Sequence, residues 1–583
     1  MTELISKEDF SKALKLEKVK LKVLAPALMR LLKLDDVNEF YSSAKDLKGA
    51  EFADALLKRL GIEYEVSEAD ISNIPRSSVF ILISNHPYGG IDGLILMSLL
   101  GKIRPDIKFI ANFLLKQIDS VSDMIIPVNP FENIGDKGIN ISGVKYILEH
   151  LKDKPLGIFP AGEVSAISLN NFQIKDKAWN PSVGKIIAKA GVKVVPVYFS
   201  GHNSLAFNLL GLVHPTLRTM KLPSEIFNKT NHKIKLRIGK AIQFKDLQDL
   251  DQDKLLPFLR AKTYALGATE EKPIRKFKLD FRKLAKPEAI VPRVPVEKLV
   301  EELASIRNQT KLFDYENMEV HIANAKQIPV ILREIGRLRE ITFREVGEGT
   351  NKSIDLDEFD AYYLHLFVWD KEEQKIAGSY RLGEGDLLFK KFGVNGFYLN
   401  QLFNMKKELY PLLFQSIELG RSFVPLEYQR KPASLMLLLK GINAFLKRYP
   451  GRFKYMIGPV SISSSFSSLS KDLLVAYIRH NHWDNKIAKW VEPKKKFSYS
   501  SKTEGKSLLL HKYADDIKQL DGFIGDIEGN QKLKIPVLVK KYLKLNGKIV
   551  SFNVDPNFND SLDGFLIVEI EGIPDEAFDL VSR

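Results

Sequence analysis

The sequence predicts an α/β protein of two domains, and three observations carry that reading. From about residue 78 to 245, short apolar runs rich in β-branched residues alternate with longer helical stretches. That is the pattern of a mostly parallel sheet covered by helices. A second alternation, different in order, starts near residue 296. Between them Lys272, Arg275, Lys276, Lys278, Arg282, Lys283 and Lys286 crowd between Pro273, Pro287, Pro292 and Pro295, the composition of an extended tether. A chain of 583 residues is also too long for one ordinary core. The expected division is a helical segment over 1–69, an α/β domain over 70–270, a basic linker over 271–296, and an α+β domain with a C-terminal extension over 297–583.

Composition narrows the function. Hydrophobic residues make up 45% and charged residues 27%, as in a soluble globular protein. There is no cysteine, which excludes disulfides, thiolate metal sites and a cysteine nucleophile, and suits a reducing cytoplasm. No signal peptide is expected from Met1-Thr2-Glu3-Leu4, and no apolar run approaches the roughly 18 residues that span a bilayer. The net charge of +15 is uneven. Residues 1–300 hold 46 Lys+Arg against 34 Asp+Glu, whereas 301–583 hold 41 against 38. The first half therefore suits an anionic partner, either membrane headgroups or an acidic carrier protein. No zinc finger or RNP aromatic set is present, so nucleic acid is not expected.

In chain order, 4–34 reads as a helix, with Ser6 and Asp9 placed to cap it. Leucines and valines alternate there with Lys12, Lys15, Lys18, Lys20, Lys22, Arg30 and Lys33, and Pro26 interrupts. Such a helix lies in a membrane interface or packs on its own domain. Strands follow at 79–83, 107–111, 156–159, 192–198 and 234–238, with helices at 91–100, 139–151 and 181–190. Functional groups should then sit in the loops at the strand ends.

The first such loop is Asn85-His86-Pro87-Tyr88-Gly89-Gly90-Ile91-Asp92. Pro87 cannot continue a ladder, and the two glycines allow backbone angles other residues avoid. His86 thus falls just past a strand and Asp92 near a helix start. A histidine held by a carboxylate is a general base, because the carboxylate fixes the tautomer and stabilises the imidazolium. The plain alternative is a turn histidine with the aspartate as helix cap. Two more loops stand out: Phe159-Pro160-Ala161-Gly162-Glu163-Val164-Ser165, and the strand Val195-Pro196-Val197 that ends in Gly201-His202.

The second half opens with helices at 296–307 and 328–340, the latter carrying Arg333, Arg337 and Arg339. Asp357-Glu358-Phe359-Asp360 precedes a hairpin of strands 362–369 and 376–382. Strands near 397–403 and 412–420, a helix over 433–448 and a strand over 453–459 complete it. The tail is acidic: 551–583 hold eight Asp+Glu and one Arg, and no mechanism is read from it.

These motifs carry two resemblances. Residues 70–245 resemble the glycerolipid acyltransferases, the lysophosphatidate O-acyltransferase superfamily. Asn85-His86 and Asp92 correspond to that family's NHxxxxD, with five intervening residues rather than four. Phe159 to Ser165 corresponds to FPEGTRS, and Val195-Pro196-Val197 to the later strand. The resemblance implies that His86 is the base on an acceptor hydroxyl, that Asp92 orients it, and that the hydroxyl attacks an acyl thioester. It implies substrate contacts from Asn85, Gly162, Glu163 and Ser165. The family's phosphate-binding arginines are absent: Val164 and Asn112 stand at those positions. The expected acceptor is therefore not a glycerol phosphate. Glu163 can meet a cationic acceptor or accept backbone N–H bonds.

Residues 320–465 resemble GNAT-type long-chain N-acyltransferases of amino acids and, more distantly, the acyl-homoserine-lactone synthases. The carried-over charged cluster is Asp357, Asp360, Arg381, Glu418 and Arg421, whose carboxylates would bind an ammonium group and whose arginines a carboxylate. Without the family pattern, these residues read as surface ion pairs at a hairpin. The Gly-rich pyrophosphate loop of coenzyme-A users is missing, so acyl carrier protein is the preferred donor over acyl-CoA, and no cofactor or metal is expected to be resident. Both domains together resemble the bifunctional aminolipid synthases of bacteria, of the ornithine-lipid type. The expectation is N-acylation of an amino acid, ornithine first and glycine second, with a 3-hydroxyacyl chain. O-acylation of that hydroxyl on the lyso-aminolipid follows, at the inner face of the cytoplasmic membrane. The alternatives are a phospholipid O-acyltransferase with an accessory GNAT-like domain and a non-enzymatic membrane-binding protein.

Overall fold

The apolar runs of the first half become the strands of one sheet. The computed structural model describes residues 34–573 except 113–114, 117, 129–140, 168–172, 205, 209–220, 223–224, 271–286, 431–432, 500–502, 504, 530–532 and 572. The basic helix expected over 4–34, apart from Leu34, and most of the tether lie outside these residues. The chain divides into two units. The first holds the described parts of Met1–Glu271 together with Lys502–His511 and Gly525–Gln531, and the second holds the rest.

In the first unit the strands are β1 (Glu63–Glu65), β2 (Phe80–Ser84), β3 (Lys108–Asn112), β4 (Ile125–Val128), β5 (Leu156–Ile158), the small hairpin β6 (Ala166–Ile167) and β7 (Ile174–Lys175), β8 (Lys193–Phe199) and β9 (Lys233–Ile238). Seven of them form a sheet in the order β1-β9-β8-β2-β5-β3-β4. Every neighbouring pair is parallel except β8 with β9. β2 lies between β8 and β5 and is buried along its whole length, which explains its unbroken apolar run. Its neighbour helix Gly90–Ile103 buries Ile91, Ile95, Leu96 and Leu100 in the same cluster as Phe80 and Leu82. Because β5, β2 and β8 are parallel and adjacent, the loops that leave their C-terminal ends share one edge of the sheet.

The late segments complete this unit. The Arg237 guanidinium on β9 donates to the carbonyls of Asp526 at 2.9 Å and Ile527 at 3.2 Å, and Lys240 pairs with Asp526 at 2.7 Å. A Cβ on Gly505 would come within 2.6 Å of the Ala261 side chain, so only glycine fits that approach.

In the second unit the strands are β10 (Lys311–Tyr315), β11 (Met318–Asn324), β12 (Leu364–Asp370), β13 (Lys375–Glu384), β14 (Phe403–Met405), β15 (Ser416–Phe423), β16 (Tyr455–Ile462), β17 (Val491–Pro493), β18 (Lys548–Asp555) and β19 (Ser561–Glu569). Eight form a sheet in the order β10-β11-β12-β13-β15-β16-β19-β18. The single parallel pair is β15 with β16, and it bridges only Ser416–Glu418 to Tyr455–Ile457 before the strands part. Helix Pro329–Glu345 packs Ile331 and Ile335 into the core. The end of the expected tether is held to this unit: Val291 N–H donates to the Ser353 carbonyl at 3.0 Å, and Val294 N–H to Glu334 at 3.1 Å. The strand expected near 397–403 is instead a short helix, Leu399–Leu402, because the Glu418 carboxylate accepts the N–H groups of Tyr398 and Leu399 and caps a helical turn. β14 starts only at Phe403 and pairs with β17. The acidic tail supplies β18 and β19, which extend the sheet beyond β16. Among the described residues, no helix is long and apolar enough to cross a membrane.

Candidate active sites

In the first unit the chain leaves β2 through Asn85 and turns at Gly89, whose φ of +78° only glycine adopts readily. That turn absorbs the extra residue between His86 and Asp92. Asp92 then falls in the first turn of helix Gly90–Ile103, where its Oδ2 accepts the N–H groups of Tyr88 at 2.8 Å and Gly89 at 3.0 Å. The same oxygen lies 3.0 Å from His86 Nδ1. The carboxylate is therefore both helix cap and histidine partner, and the two readings of the loop merge. Asp92 is fully buried, while the His86 side chain keeps 18% of its surface exposed. Burial pushes the Asp92 carboxyl up, and the hydrogen bond from His86, with those from Tyr88 and Gly89, pulls it back. With Nδ1 bound to Asp92, Nε2 is the nitrogen left to take a proton. The ring stacks on Phe159 from the neighbouring β5 loop, centroids 4.0 Å apart.

The β2 and β5 loops are joined by a residue the sequence reading missed. Asp176 is buried; its Oδ1 accepts His86 N–H at 3.1 Å and the Ser165 hydroxyl at 2.6 Å, and its Oδ2 accepts Trp179 Nε1–H at 3.0 Å. Its own N–H donates to the Tyr264 hydroxyl at 2.9 Å. Ser165 N–H donates in turn to the His86 carbonyl at 2.8 Å. Ser165 thus ties the motif loops together from a buried position. Asn85 does the same on the other side: its amide exchanges two bonds with the Phe199 backbone on β8, at 2.9 and 2.7 Å. Both ends of that amide are engaged, so Asn85 holds β2 to β8. Glu163 pairs with Lys177 at 2.9 Å, and Gly162 turns the loop with φ of +68°. Val164, where the resembling family has arginine, is buried against Gly89. No guanidinium approaches His86 from that position.

In the second unit the five expected residues converge: Asp360, Arg381 and Glu418 are buried, and Asp357 and Arg421 are partly buried. Arg381 on β13 pairs with Asp357 and lies 3.3 Å from Asp360. Its guanidinium sits over Tyr363, Tyr398 and Phe359 at 5.2, 5.5 and 5.6 Å. Arg421 is 3.4 Å from both Asp355 and Asp357. It occupies the bulge where β15 slips against β13, with a φ of +50°. A non-glycine residue held in that region is strained, and such strain clusters at functional sites. Two further members were missed. Arg339 is 2.8 Å from Asp360 Oδ1 and 3.2 Å from Asp355 Oδ2. Three arginines therefore interlock with three aspartates, and the arginine charges hold Asp360 far below the usual carboxylate range although burial opposes it. Arg339 had left a signal: it follows Ile331 and Ile335 at intervals of four on the buried helix face.

Among the described residues Glu418 joins none of these ion pairs. It is fully buried and accepts the Tyr363 hydroxyl and the N–H groups of Tyr398 at 3.0 Å and Leu399 at 2.7 Å. Burial pushes its pKa up to about 7 against the pull of those donors. Three of its acceptor sites are thus taken, two on Oε2 and one on Oε1. Among the described residues, no group of three or more His, Asp or Glu side chains is arranged to hold a metal ion.

Residues 338–439 match a family model described as an acetyltransferase (GNAT) domain, and residues 9–271 one described as an acyltransferase. A glycine N(alpha)-acyltransferase of Bacteroides thetaiotaomicron is 31% identical over 304 residues, which cover 49% of this chain and 87% of that protein. The protein of the same name from Phocaeicola vulgatus is also 31% identical, over 301 residues, 49% of this chain and 88% of its own length. A lyso-glycine lipid O-acyltransferase of Bacteroides thetaiotaomicron is 28% identical over 241 residues, 39% of this chain and 82% of that protein.

Proposed function

The chain belongs to the family of the Bacteroides glycine N(alpha)-acyltransferase, and from that premise we propose that it makes a di-acylated glycine lipid in two steps on one polypeptide. The observation that carries this reading is the pairing of an acyltransferase domain with a GNAT domain in one chain whose relatives are named for N-acylation of glycine and for O-acylation of lyso-glycine lipid. Both sets of names specify glycine, which favours it over the ornithine preferred from sequence alone.

In the first step the second unit transfers a 3-hydroxyacyl chain from an acyl-ACP or acyl-CoA thioester to the α-amine. The C–N bond forms, the C–S bond breaks, and the thiol leaves with one amine proton. Arg421 and Arg381 supply positive charge for the amino acid's carboxylate. In the second step His86 Nε2 takes the proton of the 3-hydroxyl while the oxygen attacks a second thioester carbonyl. Asp92 holds the Nδ1–H tautomer and stabilises the imidazolium, which then protonates the departing thiolate. The buried Val164 in place of an arginine supports an acceptor without phosphate. The preferred donor is acyl carrier protein, and the reaction is assigned to the inner face of the cytoplasmic membrane, where both products would accumulate.

Expression in a host without aminolipids, fed isotope-labelled glycine or ornithine in parallel, tests this by mass spectrometry of the lipid extract. Label from glycine should appear in a mono-acylated and a di-acylated species. Label from ornithine alone would overturn the choice of amino acid, and an unlabelled extract in both cultures would overturn the two-step synthase.

A further inference from the structure

The ion-pair network of the second unit leaves an open question: every carboxylate in it is already matched. Asp355, Asp357 and Asp360 face arginines, and Glu418 already accepts from three donors. The substrate's ammonium group needs a partner from elsewhere. The hairpin β18–β19 offers one. Asp555 pairs in register with Ser561, and Asp563 lies two residues further along β19, so the three side chains share one face. All three are buried. Asp563 accepts the Ser461 hydroxyl from β16, and among the described residues it makes no ion pair. The Ser561 hydroxyl, also buried, has no hydrogen-bond partner among them. The turn after β18 lays the Phe558 ring 4.5 Å from the Arg421 guanidinium, so this hairpin borders the site already described. The charged and titratable neighbours of Asp563 include Asp555, Glu348, Arg421 and Tyr398.

We propose that the C-terminal hairpin carries the amine half of the N-acyltransferase site: Asp555, Ser561 and Asp563 receive the amino acid's ammonium group, and Asp563 takes one of its protons. This rests on the N-acylation reading above. A proton moves from R–NH3+ to the Asp563 carboxylate and on to water, and the resulting amine attacks the thioester carbonyl. A second amine proton leaves with the thiol. Burial, with Asp555 and Glu348 nearby, raises Asp563 to about 7, and burial alone raises Glu348 to about 7. Such a carboxyl is matched to base work near neutrality.

The test is N-acylation by the full chain with glycine and an acyl donor, at pH 6 to 9, for wild type and Asp563→Asn. Asp563→Asn should lose about 10²-fold in kcat/KM for glycine at pH 7. It should recover about tenfold per pH unit as free amine replaces ammonium. The KM for the acyl donor should hold, as should O-acylation of synthetic lyso-lipid, which rules out global misfolding. Ser561→Ala, which changes no charge, should raise the glycine KM several-fold with kcat retained. A variant pair with wild-type pH profile and glycine KM overturns the proposal. So does activity that EDTA abolishes and Mg2+ restores, because the carboxylates would then serve a metal. Wild type that N-acylates nothing would overturn the N-acylation reading itself, and the hairpin's role with it.

Discussion

The two units solve the placement of charge in opposite ways. The first holds one imidazole with one buried carboxylate, and that carboxylate is held by two backbone N–H groups. One oxygen, Asp92 Oδ1, is left buried without a partner among the described residues. The second holds three arginines and three aspartates that pair with one another, with aromatic rings packed over two of the guanidiniums, and leaves the Arg381 and Arg421 Nε atoms buried without a hydrogen-bond partner among the described residues. A backbone-held dyad survives loss of its outer member, whereas a network of mutual pairs does not survive loss of an inner one. Function and stability should therefore separate in the first unit and coincide in the second.

The largest expected effect is on His86→Ala. The ring contributes chemistry and one exposed face, so the O-acyl step should fall by about 10² to 10⁴-fold while the melting profile holds. Mono-acylated lipid should accumulate. A melting loss as deep as the activity loss would erase the contrast between the units. Next comes Arg339→Ala, which takes the nearest cation from Asp355 and Asp360 and leaves them Arg421 at 3.4 Å and Arg381 at 3.3 Å. Breaking such a buried pair costs about 3–5 kcal/mol, seen as a lower denaturant midpoint. N-acylation should vanish with it, while added lyso-lipid is still O-acylated. Normal stability would show the network to be decorative. Asn85→Ala comes third: the Phe199 N–H and carbonyl lose their partners, about 1–3 kcal/mol. Read by hydrogen exchange at β8, the loss should fall on the first unit alone.

The smallest effect is a pH dependence. The folded pKa of Glu418 is raised to about 7, above its unfolded value. The folded state then binds more protons than the unfolded one between the two values, so this group's contribution to stability declines as pH rises toward 7. Glu418→Gln should flatten that slope in urea titrations of the second unit. An unchanged slope would assign it to Glu348 or Asp563 instead.

Much of the fold was legible because burial writes itself into long runs. β2, β3, β5, β8 and β9 lie within a residue or two of their expected ranges, since each is an apolar stretch bounded by glycine, proline or charge. β1 and β4 are three and four residues long, too short for periodicity to register. His86 and Asp92 were readable because loop chemistry at a strand end is local. Asp176 was not: its partners Ser165, Trp179 and Tyr264 come from separate stretches, and nothing near it in sequence announces burial. Glu418 was found, but its donors, the Tyr363 hydroxyl and the Tyr398 and Leu399 N–H groups, were not. Spacing reveals that a carboxylate belongs to a cluster, not which donors will occupy it.

The late segments that complete the first unit impose an order on its making. Arg237 finds the carbonyls of Asp526 and Ile527 only after nearly three hundred further residues have been synthesised. On the ribosome, the unit that begins to emerge first is among the last to be finished, and β10 to β17 are delivered while it waits. A gene split at the tether would send 502–511 and 525–531 off with the wrong half. Separating the two activities cleanly therefore requires a rearranged gene, with those segments grafted back behind residue 271, rather than a single cut.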